Sequence, residues 1–181
     1  MRIVVTGTPG TGKTRIAKAL AKRTGAKLIG LREFVNENHL FKIRKGQREK
    51  EVDIAALRKK LLPCLARLGG YIVEGHLACE MRLPVDFVFV LRTSPKELEA
   101  RLAKRHYPRK KLEENLMAEM LDYCTQRAEK EYGKAPLELD TTRRSVAGCA
   151  GAMLDAIKRK KKKLDCVDYS SELEHALRLR R

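Results

Sequence analysis

Gly7-Thr8-Pro9-Gly10-Thr11-Gly12-Lys13-Thr14 is the stretch from which the rest of the chain is read. Glycine, four residues, then Gly-Lys-Thr is the spacing of a phosphate-binding loop, and the chemistry needs these residue types at these places. Gly7, Gly10 and Gly12 lack a Cβ, so the backbone can turn tightly and aim successive N–H groups at the phosphates of a nucleotide. Lys13 supplies a point charge for the β- and γ-phosphates. The Thr14 hydroxyl can take one position on a magnesium ion that keeps most of its waters. Upstream, Ile3-Val4-Val5 is a β-branched run suited to a buried parallel strand. Downstream, Ile16, Ala19 and Leu20 recur at helical spacing, so the loop joins a strand to a helix N-terminus whose dipole favours an anion. The bland alternative is a glycine-rich turn that happens to carry Gly-Lys-Thr; the strand before it and the helix after it argue against that.

Outward from the loop, helices and strands alternate. The first helix is expected to run from residue 12 to about 24 and to end at Gly25, a left-handed cap. Strands are expected at Ala26–Ile29, Tyr71–Glu74, Asp86–Arg92 and Leu137–Asp140, and helices at Leu31–Leu40, Val52–Leu68 and Pro95–Lys104. A single long helix is expected from about Leu112 to Tyr132, on the stripe Leu112, Leu116, Met120 and Cys124. A last helix runs from about Ser145 into Lys158-Arg-Lys-Lys-Lys-Lys163. Phe41–Glu51 reads as a mobile charged excursion, and His106–Lys111 as a short basic loop. Alternation of this kind implies a parallel sheet with right-handed crossovers. Ligands then bind beyond the carboxyl ends of the strands, which places Glu74 and Arg92 on the functional edge.

The chain has 181 residues, enough for one domain with a full core. Its 40 Lys+Arg against 23 Asp+Glu give a formal charge of +17, a field that attracts polyanions. Nucleic acid is one explanation, and a solubilising surface is the other. Five cysteines, widely spaced and with no Cys-x-x-Cys, read as reduced thiols, neither a disulfide framework nor a zinc site. Apolar runs such as Phe87–Leu91 are too short to span a bilayer, and no cleavable apolar segment precedes the loop. The expectation is a cytoplasmic protein with no membrane partner.

Glu74-Gly75-His76 is the second chemical candidate. A carboxylate at a strand end beside the loop can hold magnesium's waters, and an imidazole two residues on can orient a nucleophile or move a proton. The plain alternative is a surface turn with two incidental polar residues. Arg92, Arg101 and Arg105 could neutralise charge on a transferred phosphoryl group through bidentate guanidinium contacts, with Arg105 favoured because it adjoins the basic loop. Tyr107 is a candidate to stack on a base.

GTPGTGKT at 7–14, VEGH at 73–76, FVFVLRT at 87–93, RLAKRHY at 101–107 and KKLEEN at 110–115 together resemble the adenylate kinase isoenzyme 6 family over about residues 1–160. These are small nucleotide kinases that double as ATPases in small ribosomal subunit assembly. The resemblance implies a P-loop NTPase of nucleotide-kinase type, an α/β fold with a five-stranded parallel sheet flanked by helices. It divides the chain into a kinase domain at 1–163, with a monophosphate-binding segment at about 30–53 and a lid at about 105–115, and a C-terminal tail at 164–181. It implies Mg2+ and ATP as reactants, with AMP as acceptor and two ADP as product, and ATPase activity besides. ATP would be held by Gly7, Gly10, Gly12, Lys13, Thr14 and Arg15, with Arg101 and Arg105 reaching it, and Thr14 and Glu74 would serve the metal. Lys13, Glu74, His76 and Arg105 would carry catalysis. Glu74 is one methylene longer than the Asp of eukaryotic members. No arginine stands near Asn36, so Arg32 or Arg44 would take the acceptor phosphate. A small-subunit ribosomal protein and ribosomal RNA are the implied partners. A ribosome-assembly factor with incidental kinase turnover, or a kinase for another small molecule or an RNA end, stays open beside this reading.

Overall fold

The computed structural model describes residues 1–43 and 50–178. Its frame is a five-stranded sheet in the order β2-β5-β1-β6-β7. These strands are Lys27–Gly30, Tyr71–Glu74, Arg2–Thr6, Phe87–Arg92 and Leu137–Asp140, and every pairing is parallel. The first strand of the chain is central, so the loop after it opens at the middle of the carboxyl edge.

Both faces of the sheet are covered, which is why its strands read as continuous apolar runs and not as alternations. Ile3, Val5, Ile72, Phe89 and Leu91 face one way, into a layer closed by α1 (Lys13–Thr24) and α7 (Val146–Lys158). Val4, Tyr71, Val73, Val88 and Val90 face the other, toward α2 (Leu31–Glu37), α3 (Ile54–Ala66) and α6 (Tyr123–Tyr132). Gly25 ends α1 in the left-handed conformation at φ 68°, as its position in the sequence implies. α3 begins at Asp53, whose carboxylate accepts the Ala56 N–H at 2.9 Å, and it continues through Pro63.

Three expectations are corrected. The charged excursion after α2 holds an antiparallel pair, β3 (Phe41–Ile43) with β4 (Lys50–Val52); residues 44–49 lie outside the described residues. The long helix is two, α5 (Arg109–Met120) and α6, and the basic loop ends where α5 starts. Between them Asp122 takes φ 52°, left-handed backbone that asparagine and aspartate tolerate better than most residues. Finally, the tail contains a helix, α8 (Ser170–Arg178). No helix among the described residues is long and apolar enough to cross a membrane.

The break at Asp122 has a cause inside the protein. Arg92 does not point at the functional edge: its guanidinium is buried, with 1% of the residue exposed. Nε donates to Glu119 Oε1 at 2.9 Å and one Nη to the Glu119 carbonyl oxygen at 2.9 Å, while Asp122 and Glu138 pair with the two Nη groups. The Tyr169 ring lies 5.3 Å from the guanidinium carbon. Burial opposes the ionised guanidinium, and Glu119 and Asp122 more than offset it. Removing one partner of a buried ion cluster leaves the others uncompensated, which costs about 3–5 kcal/mol. Arg92→Ala is therefore expected to lower the unfolding free energy by about that amount, read from urea midpoints at constant m; a loss below about 1 kcal/mol, the range of exposed pairs, would show that the cluster is solvated and does not hold α5, α6 and β7 together.

Candidate functional site

Two glycines show why the loop sequence is what it is. A Cβ at residue 7 would lie 2.3 Å from the Leu91 carbonyl oxygen, and one at residue 10 would lie 2.6 Å from Leu98 Cδ1, with φ at +134° and +100°. The first contact presses the loop against β6, and the second presses it against α4 (Pro95–Ala103). Only glycine meets both demands, of space and of backbone angle.

Within the loop Lys13 is buried, and its ammonium donates to the Thr8 carbonyl oxygen at 2.9 Å. Burial depresses its pKa, and nearby Glu74 works the other way. Thr14 opens α1 and donates its hydroxyl to Glu74, at 3.1 and 3.3 Å from the two carboxylate oxygens. Glu74 ends β5 and is 5% exposed. Burial raises its pKa, while the Thr14 hydrogen bond and the Lys13 charge pull it down. Ammonium, hydroxyl and carboxylate thus converge at the mouth of a loop built to receive phosphate. Hard oxygen donors with few carboxylates suit Mg2+, which is bound by one or two carboxylates plus substrate phosphates and waters. Among the described residues no group of three His, Cys, Asp or Glu side chains could hold a metal ion alone. An ion here would arrive with the phosphates.

His76 begins a 3-10 turn (His76–Glu80) after Gly75. Its carbonyl oxygen accepts from the Thr6 hydroxyl at 3.1 Å and from Cys79 Sγ at 3.0 Å, which fixes the backbone. The residue is exposed, yet desolvation by surrounding protein and the Lys13 charge push the imidazole down to about 4. Water reaching the ring lessens that depression, but its direction leaves the imidazole neutral at pH 7. A base that weak is far from the optimum for taking a proton at neutral pH, and a neutral ring nitrogen can still orient water as a hydrogen-bond acceptor.

The arginines are placed differently from one another. Arg15 is exposed at the start of α1. Arg101 turns back to the sheet: it donates to Glu97 Oε1 at 2.8 Å, the Thr141 carbonyl at 3.0 Å, and the hydroxyls of Thr141 and Thr93 at 3.2 and 3.3 Å. Arg105 stands exposed beyond the end of α4 and, among the described residues, its side chain has no ion pair. Tyr107 is half-buried beside it. Arg32 is exposed on α2, and Arg44 lies outside the described residues.

Two features escaped the sequence reading. Glu33, in the first turn of α2, converges with Glu74 on Gly30: a Cβ there would lie 2.2 Å from Glu33 Oε2 and 3.4 Å from Glu74 Oε1. Its charge adds to the forces raising the Glu74 pKa. The signal was a glycine closing a strand with an acid three residues on. On the other side of the loop, the Thr141 hydroxyl lies 3.1 Å from the Thr11 carbonyl and 2.7 Å from the Thr93 hydroxyl. Its signal was position alone, one residue past the end of β7.

Comparison with known proteins agrees with this geometry. A family model described as an AAA domain matches residues 3–122. The chain is 36% identical over 173 residues to a protein of Methanocaldococcus jannaschii provisionally named adenylate kinase, spanning 95% of this chain and 94% of the relative. A Pyrococcus furiosus protein with the same provisional name is 33% identical over 180 residues, spanning 98% and 96%. In fold, the chain is similar to shikimate kinase from Acinetobacter baumannii in complex with shikimate, at TM-score 0.64 and 17% identity over 88% of this chain and 94% of that one. It is also similar to deoxyadenosine kinase from M. mycoides with bound dATP, at TM-score 0.57 and 17% identity over 87% and 100%. The chain has the P-loop nucleotide-kinase fold and belongs to the AAA-domain family, alongside archaeal relatives provisionally named adenylate kinases.

Proposed function

We propose that the protein transfers the γ-phosphoryl group of Mg·ATP to a nucleoside monophosphate, AMP giving two ADP, and that it hydrolyses ATP when no acceptor is bound. The observation that carries this reading is the convergence of Lys13, Thr14 and Glu74 at the open end of the glycine loop. Lys13 leaves the Thr8 carbonyl for the phosphates. Thr14 and Glu74 would hold magnesium, and Gly7, Gly10 and Gly12 let the backbone N–H groups face the phosphate oxygens. Arg15 and Arg105 lie free to reach the nucleotide, with Arg105 carried by a lid at about 105–115 that closes over the site. Arg101 braces the loop from behind. Acceptor binding falls to the segment at about 30–53, where Arg32 is the described arginine. Magnesium, when bound, would neutralise charge on the β- and γ-phosphates, while the protein aligns donor and acceptor and excludes water. All five cysteines are free thiols, which fits a reducing compartment, and we place the protein in the cytoplasm.

A second reading is favoured by the cationic run after α7. Arg159 and Lys161 pair with Asp155, at 2.6 and 2.8 Å, while Lys158, Lys160, Lys162 and Lys163 are exposed with no ion pair among the described residues. An ATP site needs no cations there. Together with the resemblance to the adenylate kinase isoenzyme 6 family, the run supports a role in small ribosomal subunit maturation, with ribosomal RNA or a ribosomal protein as partner and ATP hydrolysis as the driving step.

Three measurements test these readings. With Mg·ATP and each nucleoside monophosphate in turn, wild type is expected to favour AMP; Lys13→Ala is expected to lose at least about a hundredfold in both transfer and hydrolysis, and near-wild-type turnover in a folded variant would remove this loop as the nucleotide site. His76→Gly is expected to reduce ATP hydrolysis about tenfold, the size of one hydrogen bond, but AMP phosphorylation less, because the acceptor phosphate brings its own nucleophile; equal losses would assign His76 to the shared metal site instead. Replacing Lys158, Lys160, Lys162 and Lys163 by Gln is expected to flatten the log–log salt dependence of binding to small-subunit ribosomal RNA fragments by about 3, at roughly 0.7–0.9 for each phosphate no longer neutralised. An unchanged slope would take the run out of the binding surface.

A further inference from the structure

The C-terminal segment has no part in the machinery above, yet the structure ties it to the back of the phosphate loop. After α7 the chain reverses through Lys160 at φ 50°. Leu164 packs on the core layer beneath α1 and α7. The Asp165 N–H then donates to the Glu138 carbonyl at 3.1 Å, so the segment runs along the outer edge of β7. The Asp165 carboxylate accepts from three donors: the Asp140 N–H at 2.9 Å and the two ends of the Arg144 guanidinium at 2.8 and 3.0 Å. Four residues on, Tyr169 is buried over Arg92, so this stretch cannot drift.

What Asp165 grips is the turn after β7, and that turn leads to the loop. Asp140 Oδ1 accepts from the Thr142 N–H at 2.8 Å, and the Thr142 hydroxyl accepts from the Ser94 N–H at 2.9 Å at the start of α4. Between these anchors Thr141 is buried, its N–H donating to the Arg92 carbonyl at 2.9 Å, its hydroxyl sharing one proton between the Thr11 carbonyl at 3.1 Å and the Arg92 carbonyl at 3.0 Å, and its own carbonyl accepting from Arg101 at 3.0 Å. A trans peptide is planar, with C=O and N–H pointing opposite ways. The hydrogen bond on the Thr11 carbonyl therefore sets the direction of the Gly12 N–H, one of the donors that a phosphate would meet.

We propose that Asp165 is a positioning residue for the donor nucleotide: by fixing the 140–144 turn it holds Thr141 on Thr11, and so orients the Gly12 N–H toward the triphosphate. The inference deepens the kinase reading and rests on it. It concerns the donor alone, because α2 and its Arg32, proposed for the acceptor, follow β2 at the opposite edge of the sheet from β7 and its turn.

The test uses the full chain and separates donor from acceptor. Calorimetric titration with Mg·ATP, without any monophosphate, is expected to give about a tenfold weaker Kd for Asp165→Ala, the size of one hydrogen bond of ordinary net strength. KM for ATP should rise by the same factor, while KM for AMP and kcat stay within about twofold. Asp165→Asn keeps one acceptor oxygen for the Asp140 N–H and is expected to recover part of the loss. An unchanged ATP Kd in Asp165→Ala overturns the inference, and so does an equal rise in both KM values. Should that variant not fold, Asp165→Asn and Arg144→Ala decide the matter: unchanged ATP affinity in both overturns it. Wild type that binds no Mg·ATP overturns the kinase reading itself, a result distinct from wild-type binding that ignores residue 165.

Discussion

The ion cluster at Arg92 is the constraint on which one half of this molecule depends. A guanidinium buried at the end of β6 must find counter-charges, since an isolated buried cation is prohibitively costly. It finds them on Glu119, Asp122 and Glu138. Each carboxylate belongs to a different piece of chain. Glu119 ends α5, Asp122 sits in the break, and Glu138 lies on the edge strand. Glu119 also accepts the Thr93 N–H at 3.0 Å, so the path of the chain leaving β6 is settled by the same group. The helix break, the seat of α4 behind the phosphate loop and the place of Tyr169 follow from one charge that has to be satisfied inside the protein. A cluster of this sort is weak evidence for stability compared with an apolar core, but it is demanding in geometry.

The two flanks of the phosphate loop are built for different work. Toward β5 and β2 it meets carboxylates, the buried Glu74 and the exposed Glu33. Toward β6 and β7 it meets threonines, Thr93 and Thr141, closed off by Arg101 and packed against Leu98 and Leu102. The first side presents negative charge, and the second is closed by hydrogen bonds among buried groups. Phosphoryl transfer asks for both properties, since the donor must be held still while charge moves toward the acceptor.

Much of this was legible in the sequence, and for physical reasons. Strands buried on both faces announce themselves as runs such as Val88–Leu91, and the glycine loop admits few other uses. What was hidden involved partners distant in sequence. Arg92 looks like a strand-end cation from its neighbours, and only the fold brings Glu119, Asp122 and Glu138 to it. The same absence of long-range information joined α5 to α6, because Leu112, Leu116, Met120 and Cys124 keep helical period across the break at Leu121 and Asp122. At the site, Lys13, Thr14 and Glu74 could be named from motif and strand end. Glu33, Thr93, Thr141 and Asp165 are ordinary polar residues whose importance comes from what they touch. The pairing of Phe41–Ile43 with Lys50–Val52 was masked by charge, since polar strands lack the apolar signature that marks buried ones.

Lys13 carries a consequence for the protein before any substrate arrives. Its ammonium has already been stripped of most of its water by folding and donates to the carbonyl of Thr8. Dehydrating that cation is thus a cost to the folded chain and not to the encounter with a polyphosphate, which has only the Thr8 carbonyl to displace. Folding and occupancy then draw on the same free energy. A ligand at a thousand times its Kd adds about 4 kcal/mol to the folded state, so resistance to unfolding and to proteolysis rises and falls with the supply of nucleotide around it.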